Sequence, residues 1–391
     1  MHLRSVQADH FPSVVLVGGG AAGLWTAMRL LEAGWQGERL TIIEPSGKTE
    51  DDHTWGYWAH ESLLPPEVEQ SSYNLITLAA HGERATYVAA PFRYFSVRSS
   101  AFYAYAKQRL AEAGVVWVSD VATQITDNES HATVQLSQRK ASIAADYALD
   151  SRPPSIDLQD KSYYSTLQHF GGWFVETHDN RFNPDEVVFM DFLELDKEVG
   201  FFYVIPYGAR KALVQLAIFS KTPWPRDDYD SALSDYLTKR YPGAYRVIDW
   251  EYGAIPMTDA PLWSDSTHRV WRIGTRGGWV QPSSGYAFSR CARFGGEVAD
   301  QLLQANPKPW KPSPVHQTFN SVMLGAVIDR PEMAGHLFLD LFQRNGVERV
   351  FSFLDEQSGV AETLKLMWQS PRTEFSRRAV TELAARIKGR K

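Results

Sequence analysis

The feature that most constrains the fold is a glycine-rich turn near the start of the chain. Residues 14–17 form an apolar, mostly β-branched run, as is typical of a buried parallel strand. Six small residues follow directly: Gly18, Gly19, Gly20, Ala21, Ala22 and Gly23. The stretch LWTAMRLLEAG then has the apolar spacing of a helix, and a second strand at 40–43 ends in Glu44. This order predicts one β-α-β unit of about thirty residues.

The glycines of this unit have the spacing of a dinucleotide-binding turn. Gly18 allows the tight turn, Gly20 lets a pyrophosphate approach the backbone, and Gly23 lets the helix pack closely on the strand. The free N–H groups at the helix N-terminus, around Ala21 and Ala22, point at the phosphates. The carboxylate of Glu44 is placed to accept hydrogen bonds from the ribose hydroxyls.

A second glycine-rich segment occurs late in the chain, at residues 273–288, ahead of another predicted helix. Its glycines are Gly274, Gly277, Gly278 and Gly285. Backbone amides in such a turn can approach a ribityl chain, a phosphate or a flavin ring. The N-terminal unit by itself does not distinguish FAD from NAD. Together, the N-terminal position of the first unit and the late second segment favour FAD.

Charge and cysteine content exclude several classes of protein. The formal net charge is −6, so no general positive field attracts a nucleic-acid backbone, and we expect no nucleic-acid partner. A single cysteine, Cys291, excludes an internal disulfide and a multi-cysteine metal site. The eleven histidines show no metal-ligand spacing, so no metal site is expected.

The chain has no apolar stretch of the length that a transmembrane helix requires, and its first residues lack the apolar core of a signal peptide. We therefore expect a cytoplasmic location. The C-terminal helices carry apolar groups at 337–342 and end in a tail rich in Arg and Lys. An ordinary helical bundle explains this pattern, and so does peripheral binding to the inner face of an anionic membrane.

The segments along the chain predict an α/β fold with several parts. Residues 1–155 are assigned to a Rossmann-type FAD-binding portion with an insertion, and residues 156–262 to a lobe of antiparallel strands that contacts substrate. Residues 263–310 return to the FAD-binding domain, and residues 311–391 form a helical C-terminal region.

Eight segments, taken in chain order, make the sequence resemble the bacterial lycopene β-cyclases, FAD-containing relatives of the aromatic hydroxylases. These segments are DHTW (52–55), YFSVRS (94–99), SRPP (151–154), LQHFGGW (167–173), FMDF (189–192), FYVIP (202–206), EYGAIPMT (251–258) and the late glycine segment. The resemblance implies the FAD-binding fold of the aromatic-hydroxylase and lycopene cyclase type over nearly the whole chain.

The resemblance also implies a reaction without net oxidation or reduction, in which reduced FAD is required and NAD(P)H is an indirect electron source. An acid protonates a terminal alkene of a carotenoid or related prenylated polyene, and the cation closes to a ring. Such a site must be dry, apolar and equipped with a carboxylic acid that desolvation keeps protonated. Two alternatives stay open: an FAD monooxygenase or halogenase-like oxidant acting on a hydrophobic substrate, and a protein that binds a polyene without cyclising it.

One position departs from the family pattern. Where the family carries a glutamate thought to be central to catalysis, this chain has Gln215, which cannot act as a carboxylic acid. The remaining candidates for the acid are Asp191, Glu194, Asp196 and Glu251. The resemblance places His53 near the flavin as a hydrogen-bonding or acid/base group, and Arg98 near the cofactor.

Overall fold

A computed structural model of the chain describes residues 11–369, which contain eighteen strands and seven helices. The strands are β1 (Val14–Val17), β2 (Leu40–Ile43), β3 (Thr54–Ala59), β4 (Gln70–Tyr73), β5 (Leu75–Ala80), β6 (Glu83–Val88), β7 (Arg93–Arg98), β8 (Val116–Val118), β9 (Ala122–Asp127), β10 (Ala132–Leu136), β11 (Ser142–Ala145), β12 (Tyr147–Asp150), β13 (Ser165–Thr177), β14 (Glu186–Leu193), β15 (Val199–Pro206), β16 (Lys211–Ser220), β17 (Tyr245–Thr258) and β18 (Val270–Arg272).

The helices are α1 (Ala21–Glu32), α2 (Ser99–Glu112), α3 (Arg226–Arg240), α4 (Phe288–Leu302), α5 (Pro314–Asp329), α6 (Ala334–Leu354) and α7 (Val360–Gln369). The helical character expected of the C-terminal region is confirmed for α5, α6 and α7. The Arg- and Lys-rich tail lies outside the described residues. Within residues 11–369, no helix combines the length and the apolar character needed to cross a membrane.

A five-stranded parallel sheet contains the predicted β-α-β unit. Its strand order is β18-β12-β1-β2-β8, and β1 pairs with both β2 and β12. Side chains alternate along β1, so that Val14 and Leu16 pack against helices α1, α2 and α4 while Val15 and Val17 pack against β9–β11. This arrangement confirms the Rossmann-type fold. It also brings the carboxyl ends of β1, β12 and β18 to one edge of the sheet.

A seven-stranded, mostly antiparallel sheet forms the second layer. Its order is β17-β13-β16-β15-β14-β5-β6, and β14 pairs in parallel with β5. The antiparallel character predicted for residues 156–262 is therefore present. Strands β5 and β6, which belong to the insertion in the N-terminal portion, extend the same sheet. The domain boundaries given above stay a prediction.

The two faces of the large sheet have different neighbours. One face packs against α3 through Val175, Leu216 and Tyr236, among others. The opposite face packs partly against α5 and α6, and partly against a three-stranded sheet of order β3-β7-β4. Because successive residues of a strand point to opposite faces, the strand positions that reach this second face decide which side chains can form a site there.

Candidate active site

A cavity with a volume of about 600 Å³ lies where the parallel sheet meets the large antiparallel sheet. One part of its wall comes from the carboxyl edge of the parallel sheet and both glycine segments: Gly18, Gly20, Ala21, Ala22, Glu44, Ser151, Gly274, Thr275 and Gly285. Another part comes from the large sheet: Gln168, Phe170, Met190, Phe201, Tyr203, Gln215, Ala217 and Ile255. The cavity therefore joins the predicted cofactor turn to an apolar, aromatic wall.

Steric contacts explain why the two segments beside the cofactor part of the cavity are rich in glycine. A Cβ atom on Gly23 would lie 2.0 Å from the carbonyl oxygen of Gly18, which itself has a φ of +107°. A Cβ on Gly274 would lie 2.7 Å from the Cβ of Ala22, so the second glycine segment presses against the start of α1. By contrast, a Cβ on Gly20 would meet nothing within 4 Å. The residues present thus fit the backbone cradle of a dinucleotide cofactor.

Glu44 lines the cavity next to this cradle. Its Oε2 accepts a hydrogen bond of 2.8 Å from the backbone N–H of Gly19, and its Oε1 accepts one of 2.7 Å from the hydroxyl of Ser46. These contacts hold a buried carboxylate at the end of β2, where a ribose hydroxyl can donate to it. Its position fits the role expected from the sequence.

Arg98, Gly277 and Gly278, which were also assigned to the cofactor, do not line the cavity. A Cβ on Gly277 would lie 2.5 Å from the carbonyl oxygen of Arg272, and one on Gly278 would lie 3.1 Å from the Trp263 ring. Arg98 pairs with Asp51 and Asp249, and its guanidinium lies over the Phe174 ring, between the small sheet and the large sheet. This placement is away from the cradle, and a contact between Arg98 and the cofactor stays a prediction.

Glu251, on β17, lies behind the cavity wall, where two hydrogen bonds hold it. Its Oε2 accepts a bond of 2.8 Å from the hydroxyl of Thr54, and its Oε1 accepts one of 2.7 Å from the Nε2 amide of Gln215. Both partners line the cavity. Desolvation by burial raises the pKa of Glu251 to about 7, although Thr54 and the positive charges of Arg98 and His53 act against the shift.

The contact between Gln215 and Glu251 depends on a glycine between them. Gly172 of β13 pairs with Gln215 of β16 on one side and with Glu251 of β17 on the other. Directly opposite residues in a sheet share a face, so both side chains stand over Gly172. A Cβ on Gly172 would lie 3.1 Å from the Cβ of Gln215. The side-chain amide of Gln215 thus reaches across Gly172 to the carboxyl group of Glu251.

The structure places the other candidate acids away from the cavity. Asp191 follows Met190 on β14, and because Met190 lines the cavity, Asp191 faces the opposite side. There it accepts a hydrogen bond of 3.0 Å from the Tyr236 hydroxyl and pairs with Arg240 at 3.1 Å. Asp191 is therefore not positioned to protonate a substrate in this cavity.

Glu194 and Asp196 lie in a turn beside a different cavity of about 390 Å³. The Glu194 side chain is 73% exposed and pairs with His81 at 3.2 Å, so both carboxylates stay hydrated and do not reach the main cavity. His53 does line the main cavity, where it stacks on Trp55 and lies 2.9 Å from Asp52. Its side chain is half exposed at the rim.

Three tyrosines form a cluster that escaped the sequence analysis, and two of them, Tyr203 and Tyr286, line the cavity. The hydroxyl of Tyr94 contacts that of Tyr203 and lies 3.2 Å from that of Tyr286. Burial raises the pKa of all three phenols, so they stay neutral at physiological pH. Each tyrosine lies in a segment that carries the family resemblance, and this was the one sequence signal that could have marked them as site residues. Their meeting depends on strands β7 and β15 facing one another.

We expect the substitution Gly56→Ala to disrupt this tyrosine cluster. A Cβ on Gly56 would lie 1.9 Å from the Tyr94 hydroxyl and 2.6 Å from that of Tyr203. Overpacking of this kind costs about 1–3 kcal/mol, so thermal unfolding should show a lowered midpoint. Gly47→Ala is the control, because its Cβ would meet nothing closer than 3.7 Å, at the Cγ2 of Thr49, and Gly47 does not have a positive φ. Equal midpoints for the two variants would contradict the contact.

Within residues 11–369, no group of three or more His, Cys, Asp or Glu side chains is arranged to hold a metal ion. Beyond the dinucleotide cradle, the groups suited to proton transfer at the cavity include the Glu251 carboxyl group, the Gln215 amide, the Thr54 hydroxyl and the phenols of the tyrosine cluster; Glu44 and His53 also line the cavity. Apart from these groups, the large sheet contributes mainly apolar and aromatic side chains to the wall.

Comparison with solved structures shows the same fold in flavin-dependent proteins. A flavin-dependent brominase shares 13% identity with a TM-score of 0.63, covering 88% of this chain and 93% of its own. A geranylgeranyl bacteriochlorophyll reductase-like protein from Thermoplasma acidophilum shares 15% identity with a TM-score of 0.60, covering 97% of both chains. A variant of the halogenase PltM, solved in complex with FAD, shares 12% identity with a TM-score of 0.60, covering 98% of this chain and 93% of its own.

Comparison with known sequences shows the family. Lycopene beta cyclase of Arabidopsis thaliana is 25% identical over 306 residues, which are 74% of this chain and 60% of the plant protein. Lycopene beta cyclase of Solanum lycopersicum is 24% identical over 306 residues, again 74% of this chain and 60% of the plant protein. The chain thus spans about 60% of the length of these relatives. The family model described as lycopene cyclase protein matches residues 13–380, and the chain therefore belongs to the lycopene cyclase family.

Proposed function

We propose that the chain binds FAD and, with the cofactor reduced, cyclises an end of a carotenoid or related prenylated polyene, with Glu251 as the acid. The observation that carries this proposal is Glu251 itself. It is a carboxyl group whose pKa of about 7 keeps much of it protonated near neutrality. It is hydrogen-bonded to Thr54 and Gln215, which line a mainly apolar cavity that adjoins the cofactor cradle. The family and the fold support the cofactor and the reaction class.

The residues at the cradle have defined roles in holding FAD. The turn from Gly18 to Gly23 leaves room for the pyrophosphate, Glu44 accepts hydrogen bonds from ribose hydroxyls, and Gly274 and Gly285 admit the flavin-bearing part. When bound in reduced form, FAD supplies an electron-rich ring that stabilises positive charge nearby. NAD(P)H enters the proposal as an indirect source of electrons.

The carboxyl group and its partners can carry out both proton transfers of an isomerisation. Thr54 donates to Oε2 when Glu251 is a carboxylate. When Glu251 is protonated, Gln215 still donates to Oε1, so the proton lies on Oε2 and is donated to the Thr54 oxygen. Glu251 passes that proton to the Thr54 hydroxyl as Thr54 passes its own to the terminal alkene carbon. The neighbouring alkene then attacks the tertiary cation and closes the ring. Loss of a ring proton, returned through Thr54 to the carboxylate, balances the reaction.

The cavity wall protects the cation. Aromatic side chains, including those of Phe170 and Phe201, exclude water that would otherwise trap the cation as an alcohol. The cluster of Tyr94, Tyr203 and Tyr286 adds neutral oxygen lone pairs without adding a base strong enough to quench the cation early. Shape and dryness, rather than many polar groups, thus define the substrate as a hydrocarbon-rich polyene.

The test is an anaerobic incubation of FAD-loaded, dithionite-reduced protein with lycopene in liposomes, followed by chromatography and mass spectrometry. Products of unchanged mass with one or two rings support the proposal. Unreacted lycopene with a demonstrably folded and reduced protein contradicts it. Consumption of NAD(P)H and oxygen coupled to an oxidised or halogenated product would instead support a monooxygenase or halogenase-like activity, which at present only the shared fold favours.

Restoring the family's glutamate by Gln215→Glu should shift the pH dependence of cyclisation to higher pH. The new carboxyl group would lie beside Glu251, and two carboxyl groups in contact share one proton, so the second ionisation of the pair occurs at a higher pKa. Rates of single turnovers measured across a pH series test this. A profile that falls at the same pH in variant and wild type would show that the two side chains do not interact.

A further inference from the structure

A second cavity of about 300 Å³ lies on the other side of Glu251 from the main cavity. Residues that line it include Asp51, Ser96, Arg98, Phe174, Tyr207 and Lys211. Its wall is more polar than that of the main cavity and carries several charged side chains.

The strand β13 shows that Glu251 lies between the two cavities. Phe170, Gly172 and Phe174 alternate on the same face of β13, over a length of about 13 Å. Phe170 lines the main cavity and Phe174 lines the second one. Gly172, which pairs with Glu251, lies midway between them. The carboxyl group therefore has one cavity on each side.

The three-stranded sheet β3-β7-β4 covers this face, and its residues likewise divide between the main cavity and the second cavity. Thr54 pairs with Arg98, and Gly56 pairs with Ser96, across strands β3 and β7. Thr54 and Gly56 line the main cavity, whereas Arg98 and Ser96 line the second one. The hydrogen bond from Thr54 to Glu251 thus stands at the boundary between the two spaces.

Three buried polar atoms at the second cavity make no hydrogen bond of ordinary geometry with another group in the described part of the chain. They are the Ser96 hydroxyl, the Tyr207 hydroxyl and the Nε of Arg98. Buried polar groups are generally paired with protein or with water, and a cavity of this volume holds several water molecules at about 30 Å³ each. The groups lining the second cavity therefore suit water, in contrast to the aromatic wall of the main cavity.

The Tyr207 ring stacks on the Phe174 ring at the second cavity, with 6.1 Å between the ring centroids. Since Phe174 is two residues from Gly172 on one face of β13, and Gly172 pairs with Glu251, this contact places Tyr207 on the Glu251 side of the cavity. Burial raises the pKa of Tyr207 to about 12; the charge of Glu251 contributes to the increase, whereas the hydroxyls of Ser96 and Thr54 act against it. The positive charge of Arg98 in turn opposes the increase in the pKa of Glu251.

We propose that the second cavity is the aqueous compartment with which Glu251 exchanges its proton, and that the Tyr207 hydroxyl relays it. This inference rests on the proposed role of Glu251 as the acid. In each exchange Glu251 gives its proton to the Tyr207 oxygen as Tyr207 gives its own to a water molecule, which leaves a carboxylate and a hydronium ion. A hydronium ion carrying a different proton then reverses the two transfers. One proton replaces another, so the exchange balances without an oxidant or any other reactant, and the main cavity stays dry.

The first test needs no substrate. The protein is mixed rapidly into D2O at a pH below 7, and the infrared carbonyl band of the protonated Glu251 is followed as hydrogen is replaced by deuterium. The band is assigned by its loss in Glu251→Gln. Tyr207→Phe should slow the exchange by at least about tenfold, because a phenylalanine cannot relay a proton. Tyr87→Phe is the matched control, since it also removes a buried, unpaired hydroxyl, but one that packs against Phe342.

The second test measures deuterium in the product formed by reduced, FAD-loaded protein in D2O. Wild type and Tyr87→Phe should label each ring, whereas Tyr207→Phe should label it less, because Glu251 reuses the proton that it takes back. Equal exchange rates and equal labelling in Tyr207→Phe and wild type would overturn the relay, as would the lack of any carbonyl band lost in Glu251→Gln. Cyclisation that persists in Glu251→Gln would instead overturn the proposed acid, while the infrared exchange still reports on Tyr207.

Discussion

Replacing Glu251 by glutamine is expected to lower the rate of cyclisation by about 10²- to 10⁴-fold, the usual contribution of a positioned general acid. Glutamine keeps the volume of the side chain and can still bond to Thr54 or Gln215, so the cavity should keep its shape. FAD binding should stay unchanged, because Glu251 does not belong to the cradle. The measurement is the rate of a single turnover with reduced protein, together with a titration of FAD by fluorescence.

The control for this substitution is Glu194→Gln. It removes a carboxylate from the same region of sequence, but one that is 73% exposed and lies beside His81 outside the main cavity. We expect wild-type rates for this variant. Loss of activity in both variants, or in neither, would show that Glu251 is not the acid.

The pH dependence follows from the direction of the pKa shift. Desolvation raises the pKa of Glu251 to about 7, so the acid form that donates the proton predominates below that pH and disappears above it. Thr54, Gln215, Arg98, His53, Asp249 and Tyr207 are the groups that face or act on it. The rate of single turnovers should therefore fall as the pH rises through about 7. A rate that is constant up to pH 9 would contradict this assignment.

The substitution Gly23→Ala is expected to weaken FAD binding by about 100-fold, equivalent to roughly 2.7 kcal/mol. The new Cβ would lie 2.0 Å from the carbonyl oxygen of Gly18. Since that oxygen belongs to the backbone, no side-chain rotation can relieve the clash, and the turn that holds the pyrophosphate must move. FAD affinity and the thermal unfolding of the apoprotein are measured side by side, because overpacking also lowers stability.

Gly296→Ala serves as the matched control, since it also places an alanine within a helix. Its Cβ would meet nothing closer than 3.9 Å, at the Cδ of Arg29. Alanine has a higher helix propensity than glycine by about 1 kcal/mol, so this variant should bind FAD normally and unfold at the same or a higher temperature. Normal FAD binding by Gly23→Ala would show that the turn does not hold the cofactor.

The cofactor part of the site could be predicted from the sequence because its chemistry is local. A tight turn between a strand and a helix requires glycines at fixed spacing, and Glu44 lies at the end of the next strand of the same unit. The structure places Gly18, Gly20 and Glu44 at one cavity, as the pattern indicated. The second segment was recognised in the same way, although only Gly274 and Gly285 of its four named glycines line the cavity.

The acid could not be chosen from the sequence, which favoured Asp191 and Glu251, inside segments that resemble the family, over Glu194 and Asp196. Only the pairing of β13 with β16 and β17 brings Gln215 and Glu251 together over Gly172. The same alternation turns Asp191 to the opposite face, where Arg240 neutralises it. The positions of Arg98 and of the three tyrosines also depend on contacts between strands that are far apart in the sequence.

The sequence by itself determined the fold class, the β-α-β unit and the cradle for the cofactor, because these depend on residues within about thirty positions of one another. The tertiary structure alone decided which candidate acid contacts the side chains of the cavity wall, what holds it there and which pKa it has. A pKa depends on burial and on neighbouring charges, and for Glu251 the neighbours Thr54 and Gln215 lie 197 and 36 residues away along the chain.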